Sequence, residues 1–106
     1  MNDDCIFCKI VRKEIPSEFF FENENAVVFP DIKPKVPIHF LIVPKKHIDS
    51  VNDLEVKDKD LIGELVLIAK NVAQDLKLNG YKLKINVGRE GGQEIDHLHL
   101  HLLSGN

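Results

Sequence analysis

Apolar and polar positions follow two periods along this chain. Over residues 57–78, Leu61, Leu65, Ala69, Val72 and Leu76 recur at the spacing of one helix face and predict the one long helix. Asn79-Gly80 is the expected stop for it. Elsewhere the runs are short, β-branched or alternating. Phe19-Phe20-Phe21-Glu22 and Ala26-Val27-Val28-Phe29 flank Asn23-Glu24-Asn25 and predict a hairpin. Residues 38–43 predict a third strand, closed by Pro44 and preceded by a loop carrying Pro30, Pro34 and Pro37. Residues 81–87 and 97–103 alternate and predict two more strands, joined by a Gly-containing loop over 89–94. Residues 5–11 place apolar side chains on one side of a short N-terminal helix, which Pro16 ends. Five strands around one long helix predict an α+β domain with a mainly antiparallel sheet.

A length of 106 residues predicts a single domain over 1–106. The net charge of −3 argues against a nucleic-acid or anionic-membrane surface, since such affinity comes from clustered Lys and Arg. Met1-Asn2-Asp3-Asp4 lacks the basic and apolar segments of a signal peptide, and no apolar run approaches the ~20 residues that span a bilayer. The expectation is a cytoplasmic protein with its two cysteines reduced.

The most informative stretch is His97-Leu98-His99-Leu100-His101-Leu102-Leu103. Strand alternation puts the three histidines on one face and Leu98, Leu100 and Leu102 on the other. Thr, Lys or Glu would serve a merely solvated face as well. A catalytic metal held by all three rings is disfavoured, because a straight strand cannot bring an i+4 histidine to within ~2.1 Å of the ion shared by the first two. A catalytic row fits better: one nucleophile or base flanked by imidazoles that donate to an anion. Asn86 lies on the polar face with Lys82 and Lys84, and falls on the histidine side if those strands pair. His39 shares a face with Leu41 and Val43 and can look into the same pocket; an exposed Asn86 and a structural His39 are the plain alternatives. Gly91-Gly92-Gln93 lets backbone N–H groups approach an anion, or is an ordinary turn.

His97 to Leu103 matches, at every position, the signature His-φ-His-φ-His-φ-φ of the histidine triad (HIT) family, φ being apolar. The resemblance extends through Asn86, Gly91-Gly92-Gln93, Pro37-Ile38-His39-Phe40-Leu41-Ile42-Val43-Pro44-Lys45-Lys46-His47, and Ile6-Phe7 with Lys9-Ile10. It covers nearly the whole chain and looks like the Hint branch. It implies a HIT-like fold, a purine nucleoside monophosphate pocket (AMP or GMP, or a conjugate) and a covalent nucleotidyl-histidine intermediate. It places the nucleophile on His99, phosphate contacts on His101 and Asn86, and supporting roles on His39 and His97. The base and ribose would meet Ile6, Phe7, Ile10, Phe29, Asp31, Ile32 and Leu41, with Asp31 as ribose acceptor. Gly92, Gln93 and Glu94 would line the phosphate side. The resemblance implies a homodimeric nucleoside phosphoramidase needing no cofactor for catalysis. A dinucleoside polyphosphate hydrolase and a non-catalytic nucleotide-binding adaptor stay open as alternatives. Three features depart from the pattern. Glu94 replaces a serine found in animal Hint members. Asp96 replaces an aromatic residue. The chain ends at Asn106, without the C-terminal tail of longer Hint proteins.

Cys5-Ile6-Phe7-Cys8 is a C-x-x-C pair without a second pair, so a metal here needs two other ligands, and His47 and His97 are the candidates. Some HIT proteins with this pair resemble such a Cys-Cys-His-His zinc site, which would be structural and closed. The alternatives are two buried thiols or, less fittingly, a redox pair.

Overall fold

The computed structural model describes residues 4–105. Five strands form one antiparallel sheet: β1 (Phe21–Glu22), β2 (Ala26–Pro30), β3 (Ile38–Pro44), β4 (Lys82–Lys84) and β5 (Leu100–Ser104), in the order β1-β2-β3-β5-β4. A short helix, α1 (Ile6–Val11), covers one face and the long helix α2 (Lys59–Asp75) covers the other. Burial on both faces explains the continuous apolar runs in β2 and β3. Ala26, Val28, Ile42, Leu100 and Leu102 pack under Leu65, Ile68, Ala69 and Val72 of α2. Val27, Phe29, Leu41 and Val43 pack with Phe7 and Ile10 of α1.

The hairpin between β1 and β2 closes on the Asn23 side chain, whose Oδ1 accepts the backbone N–H groups of Asn25 (2.8 Å) and Ala26 (2.9 Å). Asn23 and Asn25 each donate to Glu64, tying the hairpin to α2.

The described elements differ from the sequence expectation at their ends. The long helix begins after a 3₁₀ turn at Val56–Asp58 and stops at Asp75, short of Gly80. It is Lys77, with φ of 59°, that takes the left-handed position, and Leu78 N–H closes the turn onto Ala73 O at 2.9 Å. β4 ends at Lys84, so Asn86 lies beyond it, and β5 begins at Leu100, so His97 and His99 precede it. Their segment bonds elsewhere: His97 N–H donates to Ile95 O at 2.8 Å, and Leu98 N–H to Ile48 O at 2.7 Å. The His99 and His101 rings still lie side by side across this break, with their centroids 4.9 Å apart.

Register sets the site. Leu41 faces His101 and His39 faces Leu103 across β3 and β5, while Lys84 faces His101 across β4 and β5. His39 and His101 therefore share the α1 side of the sheet. No helix among the described residues is long and apolar enough to cross a membrane.

Leu102 is fully buried between Phe40 and Leu83 on the α2 side. We expect Leu102→Ala to cost ~2–5 kcal/mol in urea denaturation, from lost burial plus the cavity. Leu67→Ala, at a side chain 57% exposed, should stay within ~0.5 kcal/mol. Equal costs at the two positions would contradict this packing.

Candidate active site

The row of histidines is not a solvated face. His39, His97, His99 and His101 are all buried, with Phe7 packed edge-on 5.1 Å from the His99 ring. Their hydrogen-bond partners fix which nitrogen carries each proton.

His99 Nδ1 lies 2.7 Å from the carbonyl of His97. A carbonyl only accepts, so Nδ1 holds the proton and Nε2 keeps its lone pair. At His39 the logic runs the other way. Lys35 backbone N–H donates to His39 Nδ1 at 3.1 Å, leaving the proton of the neutral ring on Nε2. That Nε2–H donates to His101 Nδ1 at 2.9 Å, with the ring centroids 5.2 Å apart, so the rings meet end to end. His101 must then carry its own proton on Nε2. Among the described residues, His101 Nε2 is a buried nitrogen with no partner at all. A buried donor without an acceptor is costly and calls for a ligand.

The rings are held neutral. Burial lowers His39 and His99 below the usual imidazole range, though Asp31, 3.5 Å from His39 Nε2, pulls the other way. Burial, with His99 and His39 alongside, pushes His101 down to about 4. Together these residues present a lone pair at His99 and an N–H at His101, with the ring centroids 4.9 Å apart. A neutral nucleophile beside a donor is the arrangement that attack on an anionic phosphorus centre needs.

A second cluster adjoins the first. The ligating atoms of Cys5, Cys8, His47 and His97 all lie within 4.8 Å of one another. Sulfur-to-Nδ1 distances are 3.3 Å for Cys5–His97, 3.2 Å for Cys8–His47 and 3.6 Å for Cys8–His97. Thiolate and imidazole on one tetrahedral zinc ion would stand about 3.6 Å apart, and these three sulfur–nitrogen separations lie within a few tenths of an ångström of that. The outward ring nitrogens are held as ligands require: His97 Nε2–H donates to Pro44 O at 2.8 Å, and His47 Nε2 meets Asp49 Oδ1 at 2.5 Å. Burial, with Cys5 nearby, pushes the Cys8 thiol up to about 11, so a cation is what would draw off its proton.

Residues 4–106 match the family described as "Scavenger mRNA decapping enzyme C-term binding". Protein HitA of Neisseria gonorrhoeae is 42% identical over 95% of this chain and 95% of its own length. A HIT family hydrolase of Legionella pneumophila superposes with a TM-score of 0.93 at 47% identity, over 97% of this chain and 94% of that one. A histidine triad protein of Clostridium difficile superposes with a TM-score of 0.96 at 39% identity, over 100% and 94%. The chain belongs to the histidine triad family.

In this HIT protein the sequence-derived residues divide into three groups. His39, His99 and His101 lie together, with Asp31 3.5 Å from His39 Nε2. The His97 ring does not join the others, because both ring nitrogens are engaged, one at Pro44 and one at the sulfurs; it meets His99 through its carbonyl. Gln93 is likewise not free to meet a ligand through its side chain. Its Oε1 accepts from Gly88 N–H, its Nε2 donates to Asp49 O and Ile95 O, and it is 3% exposed.

Phe7, Ile10, Phe29 and Leu41 form buried core beneath the site, whereas Ile6 and Ile32 are exposed. Asn86 Nδ2 donates to the carbonyl of Gly92, whose φ is 88°, at 3.3 Å, and Glu94 is exposed. Asp96, the departure from the family pattern, forms a two-pronged surface pair with Arg89 at 2.8 and 3.0 Å. Sequence reasoning missed Lys35 N–H and Pro44 O, since backbone groups leave no residue-type signal. It also missed Asp49, which an acid two residues after a metal-candidate histidine signals.

The buried neutral rings make stability depend on pH. Unfolding returns His101 to about 6.5, so between pH 6.5 and about 4 the unfolded chain binds protons that the folded one refuses, and stability falls as pH falls. We expect Tm to drop across that window, and His101→Gln to flatten the drop. The same slope in both proteins would show that His101 is not buried neutral.

Proposed function

We propose that this protein is a nucleotide-binding hydrolase or nucleotidyl transferase of the Hint-like branch, acting on purine nucleoside monophosphate conjugates of the phosphoramidate type. The observation that carries the reading is the complementary pair on neighbouring rings, a bare His99 Nε2 and an unpartnered His101 Nε2–H. In the first step His99 Nε2 bonds to the α-phosphorus and the P–N bond to the leaving group breaks, the nitrogen taking up a proton from solvent so that it departs as the neutral amine. The His101 proton and the Asn86 amide donate to the phosphoryl oxygens as charge develops there. The nucleotidyl-histidine formed is cationic, and the His97 carbonyl steadies its Nδ1–H. In the second step water attacks phosphorus, the P–N bond to His99 breaks, and a proton is lost to solvent.

Asp31, half-buried at the rim beside His39, suits the ribose hydroxyls, and exposed Ile6 and Ile32 offer apolar contact to a purine. Exposed Val66 and Leu67 on α2 and Tyr81 beside the edge strand β4 support assembly as a homodimer. At the Cys5, Cys8, His47 and His97 cluster we propose one structural zinc per chain. It would pin α1, and with it Phe7 and Ile10, beneath the site, and supply folding free energy rather than chemistry.

His99→Ala should lose all but a few per cent of the turnover of an adenosine phosphoramidate, yet bind AMP within about tenfold of wild type, ~1.4 kcal/mol. Turnover retained above that level would remove His99 as nucleophile. Faster cleavage of a diadenosine polyphosphate than of the phosphoramidate would move the assignment to that substrate class. Elemental analysis of protein purified without chelators should give about one zinc per chain. Chelation should lower Tm and weaken AMP binding while His99 stays competent. Less than about a tenth of an equivalent of metal would rule out the zinc site.

A further inference from the structure

Gln93 precedes the triad, and the family resemblance puts it on the phosphate side. Its buried side chain is fully satisfied by three backbone groups from three parts of the chain. Gly88 N–H, 2.9 Å from Oε1, belongs to the turn that carries Asn86 and Gly92 toward the site. Ile95 O, 2.9 Å from Nε2, is the same carbonyl that accepts His97 N–H. Asp49 O, 2.7 Å from Nε2, belongs to the residue whose carboxylate orients His47 in the Cys/His cluster. One amide thus ties the phosphate-side loop, the Cys/His cluster and the backbone of His97 together, and it is His97 O that sets the His99 ring.

We propose that Gln93 is a positioning residue for the nucleophile: it touches no substrate, and it fixes His97 O so that His99 stays in its Nδ1–H form with Nε2 toward the phosphorus. The proposal rests on the reading of His99 given above. Two carbonyls demand a donor at Nε2, so a carboxylate in its place faces two oxygens and repels both. An apolar side chain of similar length leaves Gly88 N–H and two carbonyls without their partner. Either change loosens the segment 93–97 and, through it, the ring of His99. Misplacement of a nucleophile costs turnover far more than it costs binding.

The test uses the full chain with its metal content matched between samples. Kinetic constants for an adenosine phosphoramidate and AMP affinity are measured for wild type, Gln93→Glu, Gln93→Met and His99→Ala, with imidazole ¹⁵N spectra of each. For the Gln93 variants we expect kcat to fall about 10–100-fold, AMP affinity to stay within about threefold, and the His99 nitrogens to move from the pure Nδ1–H pattern toward a mixture. Unchanged kcat and His99 spectra would make Gln93 a scaffold residue only. A tenfold loss of AMP affinity with kcat retained would make it a substrate contact; either result overturns the proposal.

Wild type supplies a reading that needs no variant to fold. The Gln93 side-chain amide protons should exchange slowly and barely shift when AMP is added, while those of Asn86 shift. Rapid exchange at Gln93, or a shift on AMP as large as that of Asn86, would overturn the proposal. His99→Ala separates the two readings. If it keeps turnover, the nucleophile assignment fails, while the tautomer spectra of the Gln93 variants still report on Gln93.

Discussion

The hydrogen bond from His99 Nδ1 to the carbonyl of His97 is the constraint on which the rest of the site depends. It decides which nitrogen of a buried, neutral ring is free. It also makes one residue serve two clusters, since the His97 ring reaches the cysteines while its backbone holds the His99 ring. This is feasible because His97 is fully buried and its remaining ring nitrogen is tied to Pro44 at the end of β3. A loosely held His97 would leave the His99 ring free to flip and present a proton where a lone pair is needed.

Two hydrogen-bond chains of opposite sense converge on the site. One ends with a lone pair at His99, the other starts at Lys35 N–H, passes through His39 and ends with an N–H at His101. Burial makes this pattern possible by keeping the rings uncharged, since a protonated His39 or His101 would break the second chain. Asp96 is paired at the surface with Arg89, and Asp31 lies beside His39 at the rim. In the cleft between the hairpin and α2, Lys46 pairs with Asp58 and the Asn25 amide donates to Glu64.

Much of this was legible in the residues. Short apolar and alternating runs pointed to the strands, the 3.6 period to α2, and the one-sided histidine row to the candidate site. The C-x-x-C pair with His47 and His97 pointed to a four-ligand cluster, which the coordinates draw together. Other features were not legible, for physical reasons. Helix α2 ends at a left-handed lysine rather than at the glycine, because turn closure onto Ala73 outweighs a modest backbone cost. Just before β5, Leu98 N–H goes to Ile48 O, a non-local bond that no local pattern encodes. The Gly-Gln loop read as a phosphate cradle, but Gln93 turned inward because three unpaired backbone groups lay within its reach. Depth of burial, and hence the neutrality of the row, depends on α1 folding over the sheet.

In the proposed mechanism phosphorus is attacked twice, first by His99 and then by water. The stereochemical course of hydrolysis tests this most directly, using a nucleoside phosphoramidate made chiral at phosphorus by isotopic labelling. Each in-line displacement inverts the centre, so two displacements predict net retention. Net inversion would mean that water attacks directly, with His99 acting only as a base, and would contradict the covalent mechanism.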